Sequence, residues 1–271
     1  MRALVGAAVT AITLGLFGPS ELRAQETTTA APQAQSQEPP PPAPSPWSFS
    51  LSPYVWFAGM TGTVGVNSNL PKIDVDVSFG DIFKDIDWFP PPTMLIGEAR
   101  YGPFAAFTDF LYLGLDSNDE VTKGPGAAVD LELHTIVWTF GGAYRVIDSD
   151  RGHLGLLVGG RLWNVDADGS LIGPIAVRQH SGSKTWVDPI VGVNGRLELG
   201  AGFALQAEAD VGGFGAASDI DWQVMGTLQY EIAESVTLAA GYRYLAVDFD
   251  DGGFLYDVAL HGPIIGATIR F

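Results

Sequence analysis

The last eight residues of the chain alternate in polarity, and this pattern limits the folds that the chain can adopt. One face carries Ile265, Ala267, Ile269 and Phe271, and the other carries Gly266, Thr268 and Arg270. Successive side chains of a β-strand point to opposite faces, so the segment predicts a strand with one apolar and one polar face. A final strand of this kind that closes on an aromatic residue is typical of a barrel whose wall faces lipid.

The amino-acid composition further limits the fold class of the protein. The charged fraction is 17% with 46% hydrophobic residues, whereas a soluble domain carries about 25% charged residues. No stretch is long and apolar enough for a membrane-spanning helix, and only helices and closed sheets satisfy every backbone group in lipid. We therefore expect an all-β, transmembrane, antiparallel up-and-down β-barrel. A soluble β-sandwich or lipocalin-like barrel is the alternative.

The amino-terminal part carries the signature of an exported protein. Met1 and Arg2 give a positive start, residues 3–17 form a short apolar stretch, and a cleavage site fits near Ala24. Residues 1–24 are therefore predicted to be a cleaved signal peptide, with a retained anchor as the alternative. The proline-rich residues 25–46 are expected to be a disordered periplasmic segment, either a spacer or a site for a periplasmic or cell-wall partner.

Residues 47–271 are predicted to form the barrel. Turn residues divide this region into about ten strand candidates, and eight or twelve strands are the alternatives. The candidates are approximately 48–59, 93–101, 104–115, 129–146, 153–165, 185–199, 203–213, 219–232, 236–249 and 254–271. An even number of strands is typical of single-chain outer-membrane barrels.

The connections between these candidates differ in length in an alternating way. Long connections over 66–92, 116–128 and 166–184 are expected outside the cell, and tight ones near 102, 148–152, 201 and 233–235 in the periplasm. In the first long connection, 61–66 and 72–79 alternate well enough for a hairpin. Residues 80–88 have apolar residues at helical spacing and could constrict the barrel or lie against its rim.

Polar residues on the opposite face from the lipid are predicted to line the lumen. The candidates are Glu98, Arg100, Glu132, His134, Arg161, Arg196, Glu208, Asp210, Arg243 and Arg270. These lumenal residues include both positive and negative side chains, so the sequence is compatible with two functions. Arginine forks bound to carboxylates would plug a narrow barrel, or the same side chains would set the selectivity of a restricted pore for small solutes or ions.

Aromatic and acidic residues cluster near the predicted strand ends. Aromatic girdles are expected at both membrane interfaces, with Trp56, Trp186, Trp222 and Tyr244 at the outer one. Carboxylates in the long connections predict a solvated, anionic outer rim. Binding of divalent cations there, which also bridge lipopolysaccharide, is the alternative. The rim residues include Asp74, Asp76, Asp81, Asp85, Asp87, Asp116, Asp119, Glu120, Asp166, Asp168, Asp219, Asp221, Asp248, Asp250 and Asp251. The net charge of -17 disfavours binding to nucleic acid.

The sequence contains no recognisable catalytic motif, and no cofactor, metal ligand set or enzyme activity is predicted. The chain has four histidines, and His261 with the acidic segments 219–221 and 248–250 is the arrangement closest to a hydrolase site at the outer rim. This barrel-embedded hydrolase is kept as an alternative. No cysteine occurs, so disulfides and a cysteine-linked lipid anchor are excluded.

Several segments resemble a family of uncharacterised proteobacterial outer-membrane proteins, which are porin-like or small β-barrels. The segments are 186–192 (WVDPIVG), 209–215 (ADVGGFG), 241–245 (GYRYL) and 254–258 (FLYDV), together with Gly262-Pro263 and Arg270-Phe271. The resemblance covers residues 47–271 and implies a Gram-negative outer-membrane barrel without an established activity. The expected partners are outer-membrane lipid and lipopolysaccharide, and the barrel-assembly machinery through the final strand ending in Phe271.

Overall fold

The computed structural model describes residues 46–65, 72–78, 80, 93–117, 128–172 and 177–271. The predicted signal peptide, nearly all of the proline-rich segment, the predicted helical residues 81–88 and the acids Asp81, Asp85, Asp87, Asp119 and Glu120 lie outside these ranges. Among the described residues, no helix has the length and apolar character needed to cross a membrane.

The described residues form one antiparallel sheet that closes on itself. Ten strands make the barrel, in the order β1-β4-β5-β6-β7-β8-β9-β10-β11-β12, with β12 pairing back to β1, and the hairpin β2-β3 extends from β12. The strands are β1 Trp47–Trp56, β2 Gly59–Gly65, β3 Ile73–Val77, β4 Thr93–Tyr101, β5 Phe104–Ser117, β6 Ala128–Ser149, β7 Gly152–Ile172, β8 Val177–Gly200, β9 Phe203–Gly213, β10 Ile220–Ala233, β11 Val236–Asp251 and β12 Phe254–Arg270. The predicted all-β, ten-stranded barrel is confirmed.

The two ends of the barrel differ. At the end where β1 begins and β12 ends, two-residue connections join β4 to β5, β6 to β7, β8 to β9 and β10 to β11. We call this end the turn end and the opposite end the loop end. Outer-membrane barrels have short turns on the periplasmic side and longer loops outside. The loop end fits this pattern only in part, because residues 214–219 join β9 to β10, whereas Gly252 and Gly253 alone join β11 to β12.

The strands β6, β7 and β8 run further toward the loop end than the sequence predicts. The segment 166–184, expected to be a loop, is mostly strand, because β7 and β8 pair continuously from Gly152↔Leu197 to Ile172↔Val177. These strands have 22, 21 and 24 residues, whereas a tilted strand crosses a membrane in about 9–11 residues. The three strands therefore extend well beyond the lipid at the loop end.

The seam of the barrel lies between the first and last strands. β12 pairs with β1 from Ser50↔Arg270 to Trp56↔Ile264 and continues in the same register with β2 from Gly59↔His261 to Gly65↔Leu255. A Cβ on Gly262 would lie 1.9 Å from the Phe57 carbonyl oxygen, so the close approach at this junction requires glycine. The predicted hairpin over 61–66 and 72–79 is confirmed as β2-β3.

The outward face carries an apolar band toward the turn end. Valine and leucine side chains along β8 are about half exposed, as expected of residues that contact lipid: Val187, Val191, Val193, Leu197 and Leu199. At the turn-end edge of this band, aromatic rings pair at centroid distances of 5.0 Å (Trp47–Tyr101), 5.1 Å (Phe104–Tyr144) and 4.6 Å (Phe203–Tyr230). At the opposite edge, Tyr244 stacks between Trp222 at 4.8 Å and His261 at 5.5 Å. Two aromatic girdles bounding an apolar band are typical of transmembrane barrels.

Candidate functional site in the barrel lumen

A buried network of charged and polar side chains crosses the lumen, and we call it the waist. Its first centre is Arg161 on β7, which has no solvent exposure. Nη2 of Arg161 donates to both carboxylate oxygens of Asp210, at 2.9 and 3.0 Å, and Nη1 donates to Asp221 at 2.5 Å. Nε donates to the Thr139 hydroxyl at 3.0 Å, and the Trp163 indole donates to the second Asp221 oxygen at 2.9 Å. One guanidinium is thus held between two carboxylates.

The second centre is Arg243 on β11, which is 1% exposed. Its Nε and Nη2 donate to the Gln223 side-chain oxygen at 2.9 and 2.6 Å. Nη1 donates to the Tyr54 hydroxyl at 2.9 Å, and Nη2 lies 2.9 Å from Asp109. Its guanidinium carbon also lies 4.8 Å from the Trp56 ring centroid, within the range of a cation–π interaction.

The two centres are joined into one layer. The Gln223 amide donates to Asp210 and to Glu208, both at 3.2 Å, so Gln223 bridges the partners of Arg161 and those of Arg243. Members come from β1, β5, β6, β7, β9, β10 and β11. Hydrogen bonds between ionised arginine and carboxylate groups are short and strong, so the waist fixes seven of the ten barrel strands relative to one another.

The waist lies near the loop-end girdle. Asp221 directly precedes Trp222, and Arg243 lies between Tyr242 and Tyr244. On the loop-end side of the waist the interior becomes apolar. Trp186 stacks on Phe249 at 4.0 Å and on Trp163 at 5.9 Å, and Tyr256 meets both tryptophans edge-on. We call this cluster the loop-end core, and its other buried members include Met60, Val64, Leu133, Val165, Leu245, Val247, Phe254, Val258 and Leu260.

On the turn-end side of the waist the lumen holds a polar cavity of about 200 Å³, which we call the vestibule. Its lining includes Arg100, Arg145, Arg196, Arg270, His153, Glu98, Glu208, Asp109, Asn194, Gln206, Gln229 and Thr268. Several of these side chains are paired: Arg100 bonds Glu98 at 3.0 Å, Arg145 bonds Asp148 at 3.2 Å and Arg196 bonds Glu198 at 2.6 Å. Arg196 also donates to Gln229, which donates to Gln206.

Most of the predicted lumenal residues face the lumen. Arg161, Asp210 and Arg243 form the waist. Lining the vestibule are Glu98, Arg100, Arg196, Glu208 and Arg270. The side chain of Glu132 lies outside the described part of the structure.

The prediction for His134 is wrong, because its side chain is on the outward face. The inward residues of this part of β6 are Leu133, Thr135 and Val137, all buried, and His134 lies between them in the alternation. The predictions for Trp56 and Trp186 are also wrong, since both are buried inside the barrel rather than in the outer girdle. The two tryptophans lie on the inward faces of β1 and β8, next to the half-exposed outward residues Val55 and Val187. The His134 error has a different cause. Beyond the lipid the wall stands in water, so apolar residues turn inward and polar residues outward, the reverse of the pattern in the membrane.

Asp221 also departs from the prediction of an acidic rim. It is fully buried and bound to Arg161. Asp219, Asp250 and Asp251 are exposed at the loop end. The partial burial of Asp248 and the charges of Asp257, Asp219 and Asp250 raise the pKa of Asp248. The divalent-cation site at the rim stays a prediction, and within the described ranges no three His, Asp or Glu side chains converge to hold a metal ion.

The structure does not bring His261 together with the acids proposed for a hydrolase site. The His261 ring lies on the outward face, with Nδ1 3.0 Å from the Tyr242 hydroxyl, whereas Asp221 points inward to Arg161. His261 pairs with Tyr244, and Asp248 pairs with Asp257 four residues further along each strand, which is about 13 Å at the usual rise of a strand.

Five waist residues were missed as site residues: Tyr54, Asp109, Thr139, Trp163 and Gln223. Asp109 had a detectable signal, because it is the one charged residue between Phe104 and Leu115 and shares a face with the apolar Leu111 and Leu113. A charge on an apolar inward face requires a buried partner. Tyr54 and Trp163 had no such signal, since ring hydrogen bonds depend on which strands meet across the lumen.

A second buried carboxylate, Asp188, holds the connection between β9 and β10. Its oxygens accept hydrogen bonds from the Ser218 backbone N–H at 2.9 Å, the Ser218 hydroxyl at 2.6 Å and the Trp186 indole at 3.0 Å. Both Asp188 and Ser218 are fully buried. The side chain therefore fixes residues 214–219 against the loop-end core.

We expect Asp188→Ala to loosen this connection, because the buried Ser218 donors would lose their acceptor at a cost of about 1–3 kcal/mol. Phe214 on the same connection is 59% exposed, so limited chymotrypsin digestion should cleave there faster in the variant. Asp150→Ala, an exposed turn residue at the other end, is the matched control. Equal cleavage rates in the two variants would contradict the role given to Asp188.

The closed antiparallel ladder, the outward apolar band, the two girdles and the polar lumen define an outer-membrane-type β-barrel. No protein-family model matches the chain, and no curated protein sequence matches it. The resemblance to the uncharacterised proteobacterial family therefore stays a prediction.

Solved structures similar to this chain include three outer-membrane proteins. The outer membrane protease OmpT from Escherichia coli has 9% identity and a TM-score of 0.49, covering 83% of this chain and 97% of that one. Neisserial surface protein A has 13% identity and a TM-score of 0.33, covering 84% and 98%. The toluene transporter TodX from Pseudomonas putida has 12% identity and a TM-score of 0.33, covering 84% and 89%. The class of the chain rests on its own geometry.

Proposed function

We propose that this protein is a closed structural barrel of the outer membrane rather than an open pore. The observation that carries the proposal is the waist, where Arg161 and Arg243 are both essentially without solvent exposure. A selectivity filter keeps its charged groups in contact with the water that carries the ions. Here the guanidinium groups donate hydrogen bonds to carboxylate, amide and hydroxyl partners inside the lumen.

The loop-end core supports the same function. Directly beyond the waist the interior is packed with aromatic and aliphatic side chains, among them Trp163, Leu245 and Tyr256, each with no solvent exposure. A hydrated path through the described lumen would have to displace both the ion pairs and this apolar layer. A closed barrel can contact other molecules only through its outer wall and its two ends. In this proposal the turn end faces the periplasm, and the predicted signal peptide directs export.

Planar-bilayer recording of the purified, folded protein tests this proposal. We expect no steady conductance above the baseline of the bilayer, because the waist leaves no continuous water column. Folding is verified separately by the shift in gel mobility between the unheated and heated protein, and insertion by flotation of the protein with lipid vesicles of the same composition. Stepwise conductance that increases with the number of inserted barrels would contradict the closed barrel and favour the restricted pore.

A further inference from the structure

We propose that the vestibule is a binding site for a small oxyanion, a phosphate or a carboxylate, that enters from the turn end. The inference rests on the closed waist, because closure makes the vestibule a pocket rather than a segment of a channel. Four arginines line it: Arg100, Arg145, Arg196 and Arg270. Guanidinium groups match the geometry of phosphate and carboxylate oxygens and keep their charge at any pH of interest.

The arginines outnumber the carboxylates that could neutralise them within the cavity. Glu98, Glu208 and Asp109 also line the vestibule, but Asp109 is bound to Arg243 of the waist at 2.9 Å. The acids that pair with Arg145 and Arg196 are Asp148 and Glu198, both largely exposed and absent from the cavity lining. The cavity wall therefore carries excess positive charge while part of the compensating charge lies outside.

Two guanidinium nitrogens in this wall point to a missing partner. Arg100 Nη1 and Arg145 Nε are buried, and within the described residues neither has a hydrogen-bond acceptor. Buried polar groups are nearly always satisfied, and an unsatisfied charged donor is costly. An oxyanion in the vestibule would supply oxygens to both side chains.

Three of the four arginines lie near the same side chain, His153. Arg145, Arg100 and Arg196 all lie near enough to His153, which also lines the cavity, for their charges to act on its imidazole, and Asp148 is the one opposite charge among them. Asn194, Gln206 and Thr268 add neutral donors around them. The volume of about 200 Å³ is smaller than the roughly 300–1,000 Å³ of sites for drug-sized ligands, so the ligand is a compact anion.

Titration calorimetry of the detergent-folded protein with inorganic phosphate, and separately with succinate, tests the site. We expect saturable binding of at least one of the two anions, weakened by about tenfold or more in Arg145→Gln and in Arg270→Gln. Arg151→Gln removes the same charge from an exposed turn at the same end, outside the vestibule, and should bind as the unaltered protein does. Unchanged unfolding midpoints in Arg270→Gln separate lost binding from lost folding.

The outcomes distinguish this site from the closed barrel. Binding that is lost in the two vestibule variants, without bilayer conductance, supports both proposals. Binding together with conductance supports the anion site and contradicts the closed barrel. No binding of either anion, or an equal loss in Arg151→Gln, overturns the anion site whatever the conductance.

Discussion

Arg161→Met is expected to lower the free energy of unfolding by about 3–5 kcal/mol, the usual cost of removing one partner from a buried ion pair. The methionine side chain keeps most of the volume but leaves Asp210 and Asp221 facing each other in the lumen without a cation. Both carboxylates are inaccessible to water that could replace the guanidinium, with exposures of 6% and 0%. Urea unfolding in lipid vesicles, followed by tryptophan fluorescence, measures the change.

A second variant shows whether charge or packing causes the loss. Adding Asp210→Asn and Asp221→Asn to Arg161→Met should recover a large part of the stability, since a neutral layer of similar shape carries no unpaired charge. Arg151→Met, on an exposed turn, controls for the loss of a positive charge elsewhere. If Arg161→Met shifts unfolding no more than Arg151→Met does, the waist does not stabilise the barrel as described.

Trp186→Ala is expected to destabilise the protein by about 3–5 kcal/mol, because it opens a large cavity in a packed interior. Trp186 is 6% exposed and stacks on Phe249 and Trp163, and its indole also donates to Asp188. Substituting a lipid-facing girdle residue creates no such cavity.

Trp138→Ala is the matched control, because Trp138 is 42% exposed on the outward wall. We expect its effect on unfolding to be clearly smaller than that of Trp186→Ala in the same vesicles. An effect at Trp138 equal to or larger than that at Trp186 would contradict the packed inward position of Trp186. The comparison thus tests the position of the loop-end core directly.

The strands and their inward faces were predictable wherever the wall meets lipid. In β8, β9 and β10 the alternation has a simple physical cause, because lipid admits only apolar side chains and the lumen admits polar ones. Arg196, Glu208 and Asp210 were therefore placed correctly. The alternation also put Arg161 and Arg243 on the lumenal face, but it did not identify Asp109 as a lumenal charge, and Asp221 was expected on the rim.

The same reasoning failed where the strands leave the lipid. The alternation of β6 continues through His134 without interruption, but the medium outside the wall changes from lipid to water, and no local signal marks that boundary. The partners across the lumen were unpredictable for a different reason. Arg161 lies 49 residues from Asp210 and 60 from Asp221, and which strands face each other depends on the strand number, tilt and stagger of the whole barrel.

The seam has a consequence for how the chain folds. β12 pairs with both β1 and β2, so a single strand at the carboxyl end completes the membrane wall and also carries the hairpin above it. The paired residues are among the most distant in the chain, as in Ser50 and Arg270, and contacts of such long range form late because they close the largest loops. Closure of the membrane wall and docking of the external hairpin therefore both depend on the pairing of the same strand, β12.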